Sequence, residues 1–273
     1  MSTIDLGFVC EDHLNEDDLK DFECSRMGGP ALFLKPMKDP VLCNCGKKMQ
    51  LLLQLYAPGP SESSFHRFIY LFLCPNGACQ TTGWSKGSIK VLSYQTTEED
   101  DMAGLLLDAD YVCQYCEARE IEVDSEPGKE AEKAEDIDTS NIKIEENDTK
   151  EQYTKAQGDV AFLKFQKRLS REPDQVLRYY HDRNNDDALW CSENGKVTDI
   201  PACSCGAKRV LELQVLSTIL AHLNIDFSQK DALDWGILNV YVCSAFCDKA
   251  NSEYAEELCW RQEFSSQSIL SVE

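Results

Sequence analysis

Cys43-Asn44-Cys45-Gly46-Lys47-Lys48-Met49-Gln50-Leu51-Leu52-Leu53-Gln54 lies against Cys203-Ser204-Cys205-Gly206-Ala207-Lys208-Arg209-Val210-Leu211-Glu212-Leu213-Gln214 without a gap. Both cysteines, the glycine, one lysine, two leucines and the glutamine coincide, seven identities in register. Self-similarity at a fixed offset is the mark of a repeated structural unit. Each copy continues into an apolar strand that ends on a second cysteine pair. In the first copy this is Phe65 to Leu73 with Cys74 and Cys79; in the second it is Trp235 to Val242 with Cys243 and Cys247. The second copy has the longer insert, rich in helix formers from Val215 to Leu223. The expectation is two related lobes from an internal duplication.

Working outward, Met49 to Tyr56, Phe65 to Leu73 and Ser88 to Tyr94 combine apolar, β-branched and aromatic residues between Gly and Pro punctuation, which predicts strands. Val210 to Val215 and Ile237 to Val242 do the same in the second lobe. Asp159 caps an expected helix whose Ala161, Phe162, Phe165 and Leu169 share one face. Pro173 opens an expected second helix through Val176, Leu177 and Tyr180. The fold class is α+β and strand-rich, with a four-cysteine zinc-type site in each lobe.

Between the lobes, Glu117 to Glu151 holds 14 Asp or Glu against 5 Lys or Arg. Such a segment cannot bury enough apolar surface to offset its ordering entropy. The expected organisation is an N-terminal lobe over 1–97, an acidic and largely disordered linker over 98–157, a C-terminal lobe over 158–266 and a tail over 267–273. A short ordered piece is expected near Met102 to Cys116.

The 273-residue chain carries a net charge of −21. That balance repels phosphate backbones and favours a basic protein partner, so direct nucleic-acid binding is disfavoured. The N-terminus lacks the basic start and apolar stretch of a secretory signal. The 14 cysteines are therefore expected in a reducing compartment, where metal binding explains them better than disulfides. Zinc takes four soft ligands, often as two close pairs on separate turns. Cys43, Cys45, Cys74 and Cys79 supply one set, and Cys203, Cys205, Cys243 and Cys247 the other. All four positions of each site come from protein, so the expected Zn2+ is structural, with no place for a catalytic water. Buried packing thiols are the alternative reading. Cys113 and Cys116 form a lone Cys-x-x-Cys, expected as a surface turn without metal. Cys10, Cys24, Cys191 and Cys259 read as packing residues.

Signals of catalysis are weak. Gly83-Trp84-Ser85-Lys86-Gly87 has the Gly-x-Ser-x-Gly spacing, but that motif needs a helix behind it, and a strand is expected at Ser88. The four histidines are scattered, and His66 reads as a hydrogen-bonded structural residue. Lys47 and Lys48, and Lys208 and Arg209, read as solvated basic pairs beside the metal turns, with phosphate contact as the alternative. The expectation is a binding protein, not an enzyme.

Several segments resemble the programmed cell death protein 2 family, which includes the yeast 20S rRNA accumulation protein. In the first lobe these are Leu6-Gly7-Phe8, Gly28-Gly29-Pro30-Ala31, Gln54-Leu55-Tyr56-Ala57-Pro58 and Phe65-His66-Arg67. In the second they are Phe162 to Phe165, Gln175 to Tyr179, Leu189-Trp190, Ile200 to Cys203, Leu213-Gln214, Asp234 to Gly236 and Val240 to Cys243. Family members commonly have Cys-x-x-Cys-Gly where this chain has Cys-x-Cys-Gly. Some carry a MYND-type zinc finger between the lobes. Val112 to Cys116 resembles only its beginning. The resemblance implies a dedicated chaperone for a basic small-subunit ribosomal protein of the universal S-five type. It would support small-subunit assembly and precursor rRNA maturation. An RNA-binding or adaptor factor acting directly on pre-ribosomes is the alternative. The expected location is cytoplasmic with shuttling to the nucleus, and Met102, Leu105 and Leu107 suggest an export signal.

Overall fold

Every residue of His66–Leu73 is buried, and a strand apolar on both faces needs cover on both sides. A closed barrel with an outer layer supplies it. The computed structural model describes residues 4–85, 87–99, 105–128, 161–183, 188–247 and 253–264. Within them lie β1 (Ile4–His13), β2 (Arg26–Met27), β3 (Ala31–Phe33), β4 (Gln50–Tyr56), β5 (His66–Leu73), β6 (Gly83–Trp84) and β7 (Ile89–Thr96). After these come β8 (Leu106–Asp108), β9 (Arg119–Ser125), β10 (Leu177–Tyr180), β11 (Arg209–Leu216), β12 (Ile237–Cys243) and β13 (Ala255–Gln262). The strands run β12-β11-β10-β1-β9-β2-β4-β5-β7-β13, and β13 pairs back onto β12 to close the ring. Closure pairs the two outermost strands that an open sheet of this size would leave exposed. Each of these pairings is antiparallel.

The two halves therefore share one barrel. Their equivalence extends to irregularities: β4 has a bulge between Leu51 and Leu53, and β11 has one between Leu211 and Leu213. Arg26 lies opposite Gln54 and Arg178 opposite Gln214. The repeated glutamine has the same task in each half. Gln54 Oε1 accepts from the Leu32 N–H at 2.9 Å, and Gln214 Oε1 from the Leu189 N–H at 3.0 Å. Each glutamine thereby fixes the segment that covers its half of the barrel. The halves also exchange strands. β1 pairs with β10 of the second half, while β9 pairs with β2 of the first.

Part of the stretch expected as linker is strand. β8 and β9 lie within 98–157, and β9 is a barrel stave because β1 and β2 supply its partners. Alternating Ile121 and Val123 are a strand signal that the surrounding carboxylates obscure. The rest of that stretch from 129, Asp159 and the tail over 267–273 lie outside the described residues. Helix α1, over 161–169, buries Ala161, Phe162 and Phe165 on the expected face. The helix expected after Pro173 is instead strand β10; pairing with β1 and β11 overrides local propensity there.

Three antiparallel steps separate β5 from β12, so their C-terminal ends point to opposite ends of the barrel. Each carries a cysteine pair. The insert after β11 closes the end beside Cys74: Ile219, Leu220, Leu223 and Trp235 join the core that also contains Leu71, Leu73 and Val91. At the other end the corresponding connection, residues 57–65, is short. That end is filled by polar side chains.

Candidate metal centres and the polar end of the barrel

The two cysteine turns are built alike. Gly46 has φ +83 and Gly206 φ +91, a left-handed conformation that glycine adopts without steric cost. Gly46 N–H donates to Cys43 O and Gly206 N–H to Cys203 O, both at 2.8 Å. Cys43 N–H donates to Lys47 O and Cys203 N–H to Ala207 O, both at 2.9 Å. This turn folds Cys-x-Cys so that both thiols face the second pair across the strand ends. In each group of four, Cys43, Cys45, Cys74 and Cys79 and then Cys203, Cys205, Cys243 and Cys247, all sulfurs lie within 4.8 Å of one another.

Four thiolates placed tetrahedrally about 2.3 Å from zinc stand about 3.8 Å apart. Cys45 and Cys74 Sγ are 3.8 Å apart, Cys203 and Cys247 3.8 Å, and Cys205 and Cys243 3.6 Å. The donor sets thus fit a tetrahedral metal ion. Backbone amides support the anionic form of one thiol in each set, while burial pushes Cys74, Cys79 and Cys243 up. The Lys47 N–H and neighbouring thiols bring Cys45 down to about 7. Burial opposes ionisation of Cys203, but the Cys205 N–H and adjacent thiols outweigh it and bring it to about 7.

The polar end centres on Glu212, at the bulge of β11, where the first copy has Leu52. Arg67 of β5 grips it with two bonds, Nη1 at 2.6 Å and Nη2 at 2.9 Å. Arg183 Nη2 lies 3.0 Å away and the Tyr179 hydroxyl donates at 2.6 Å. Arg67 and Glu212 side chains are 3% and 0% exposed. Burial alone would raise Glu212, but Arg67 and Arg183 hold it below the usual carboxylate range. Phe246, between Cys243 and Cys247, has φ +45. Its ring centroid lies 3.6 Å from the Arg183 guanidinium carbon and 5.2 Å from that of Arg67, a cation–π arrangement that ties the second cysteine turn to the ion cluster. The Arg67–Glu212 pair crosses from one half to the other. Sequence reasoning missed this cluster, although a carboxylate in an apolar strand opposite a leucine in its repeat was a signal.

Other expectations resolve individually. Ser85 donates to Ile89 O at 2.7 Å and strand β7 follows, so no nucleophile elbow forms. The Tyr56 hydroxyl sits 2.9 Å from His66 Nδ1, the structural role expected of that histidine. Lys48 remains on the surface with Asp110 at 2.6 Å. Arg209 does not: it is 9% exposed and paired with Glu257, also buried. Cys113 and Cys116 do not form a surface turn. Cys113 is buried and Cys116 half-buried, because Tyr115 between them reaches Pro75 O at 2.7 Å and accepts from the Asn224 N–H at 2.7 Å. Cys191 and Cys259 are buried packing residues, and Cys10 and Cys24 are half-buried.

Both cysteine turns fall within matches to family models. "Programmed cell death protein 2, N-terminal domain" matches residues 3–104, and "Programmed cell death protein 2, C-terminal putative domain" matches 159–263. The chain belongs to the programmed cell death protein 2 family. It is 26% identical to programmed cell death protein 2 of Rattus norvegicus, with 96% of each chain covered. It is 24% identical to the programmed cell death protein 2-like protein of Homo sapiens, over 88% of this chain and 90% of that one. In this family member the barrel-closing strand β9 lies between the two matched segments.

Proposed function

We propose that this family member is a dedicated chaperone of a basic small-subunit ribosomal protein of the universal S-five type. It supports small-subunit assembly and, through it, precursor rRNA maturation. The observation that carries this reading is the net charge of −21. An acidic binder shields a basic client from aggregation and from stray RNA, and speeds their encounter. Family membership is consistent with it. The two cysteine sites hold structural Zn2+ in this reading; each offers four thiols and so keeps no open position for substrate. The protein is not an enzyme in this account, and the two related halves descend from one duplicated unit. It captures its client in the cytoplasm and shuttles to the nucleus; the suggested export signal at Met102 lies partly outside the described residues.

The test is mass spectrometry of partners purified with the tagged full chain from RNase-treated extract. One near-stoichiometric basic small-subunit ribosomal protein supports the reading. Partners that disappear with RNase, or the absence of any basic partner, overturn it in favour of an adaptor on pre-ribosomes.

A further inference from the structure

The barrel wall has a gap. β2 pairs with β9 only at Arg119 and Glu120, and the Ile121 N–H then donates to Ser25 O at 2.7 Å. Beyond that point β9 continues to Ser125 with β1 on its other side and no described strand on this one. Backbone groups of a strand alternate in direction. Because Ile121 points its N–H to this side of β9, toward Ser25, Val123 points its N–H and C=O to the same side, where the gap lies. The gap opens into a groove of 670 Å³, whose floor includes Leu55, Val123 and Tyr179. The register pairs Gly7 with both Val123 and Leu177, so the Val123 side chain belongs to the barrel-lining face. It is nevertheless 53% exposed, whereas Ile121 on the same face is 2% exposed. The asymmetry of the barrel ends explains the difference: the insert after β11 seals one end with apolar side chains, and among the described residues the short 57–65 connection gives the other no such apolar cover.

The groove is rimmed by Asp5, Glu23, Glu120, Glu122 and Asp124. A second groove shares Glu120 and Glu122 and continues to Asp12, Asp18 and Asp21. Among the described residues, no lysine or arginine lines either one. The histidines are already engaged, His181 with Asp5 at 2.5 Å and His13 with Glu117 at 3.1 Å. Glu120, Glu122 and Asp124 alternate along β9, so they repeat every 6.8 Å or so along one face. That is also the side-chain period of an extended peptide.

We propose that an extended segment of a partner protein, with lysine or arginine at alternating positions, adds as a strand to the open edge of β9. It bonds to Val123 through its main chain, sets its basic side chains against the β9 carboxylates and covers Val123 with an apolar side chain. Strand addition of this kind takes affinity from main-chain bonds and specificity from alternate side chains. The chain's own residues 129–151 are a poor occupant, because they hold more acidic than basic side chains. The inference rests on the basic-client reading and names its binding surface.

Two variants of the full chain test it. Val123→Pro removes an N–H that faces the gap and bonds to no described strand, a position where an edge strand tolerates proline. Glu122→Lys with Asp124→Lys reverses two exposed charges. The probe is a fluorescein-labelled synthetic peptide of alternating Arg and Val, read by anisotropy beside an alternating Glu and Val control. The unsubstituted protein is expected to bind the basic peptide and not the acidic one, and each variant to weaken binding at least tenfold while keeping its circular dichroism and melting temperature. Val123→Thr, which keeps the N–H, is expected to bind within about threefold of the unsubstituted protein. Equal binding by Val123→Pro, or a self-association abolished by Val123→Pro that shows a second copy in the gap, overturns the proposal. If either charge or edge variant fails to fold, the other decides. Undiminished recovery of the basic partner from extract by both variants refutes the groove while leaving the chaperone reading intact. Failure of the unsubstituted protein to recover any basic partner refutes that reading first.

Discussion

Glu212 is the side chain whose removal this structure makes most informative. Replacing it with leucine copies what the first half already has at the equivalent bulge, Leu52. The new side chain is apolar and of similar size, so packing changes little. Arg67, however, is left 3% exposed without the carboxylate that takes two of its bonds. Breaking a buried pair from one side costs about 3–5 kcal/mol. Arg67→Met leaves Glu212 with Arg183 and Tyr179, and the expected cost is about 2–3 kcal/mol, the scale of lost hydrogen bonds to a charge. The double substitution removes both charges. It should fall within about 2 kcal/mol of the original protein: a buried ion pair and a well-packed apolar pair are often of equal stability, and the remainder is the bonds that Arg183 and Tyr179 lose. Urea unfolding of all four proteins closes the cycle, with coupling expected at about 3 kcal/mol or more. Additive single effects, or a Glu212→Leu protein within about 1 kcal/mol of the original, would refute the view that these residues form one buried electrostatic unit.

The same cluster gives a pH dependence. Glu212 sits below its ordinary value of 4.5, so its contribution is present above that pH and is lost as the pH falls through its folded value. Glu257, raised mainly by burial, acts oppositely, with a contribution present at low pH and lost as the pH rises. Acid unfolding followed by fluorescence should be less steep in Glu212→Gln; an unchanged profile would remove Glu212 as a source. For the metal sites, plasma mass spectrometry should find two zinc ions per chain, and Cys203→Ser with Cys205→Ser should keep one and lower the melting temperature. Unaltered zinc content and melting would sink the second site. Gly206→Ala, with nothing within 4 Å of the new methyl but φ +91, should cost about 1–2 kcal/mol through backbone strain alone. Gly7→Ala, whose methyl would meet Leu177 at 2.5 Å and Ile121 at 2.9 Å, should cost about 1–3 kcal/mol through overpacking. Equal melting temperatures for Gly7→Ala and the original protein would mean that β1 does not pack as described.

By itself, the sequence determined which cysteines come together in fours and the repeated pattern that carries them. Cys43 and Cys203, with their partners and following glycines, are local turns at the ends of local strands. The backbone conformation and spacing that make such turns are written within a few residues, and the duplicated pattern separates them from scattered packing thiols. Strands β4, β5, β7, β11 and β12 were legible for the same reason, since apolar β-branched and aromatic runs carry their own signal. Only the tertiary structure decided that the two halves close into one barrel. Closure depends on which strand edges meet, and β9 takes its place because β1 and β2 offer hydrogen bonds, not because Arg119–Ser125 looks apolar. Nor could the sequence show that Glu212 meets Arg67, 145 positions away, or that Val123 on the barrel-lining face stays 53% exposed. Both follow from long-range register and from the unequal connections that seal one end of the barrel and leave the other to polar side chains.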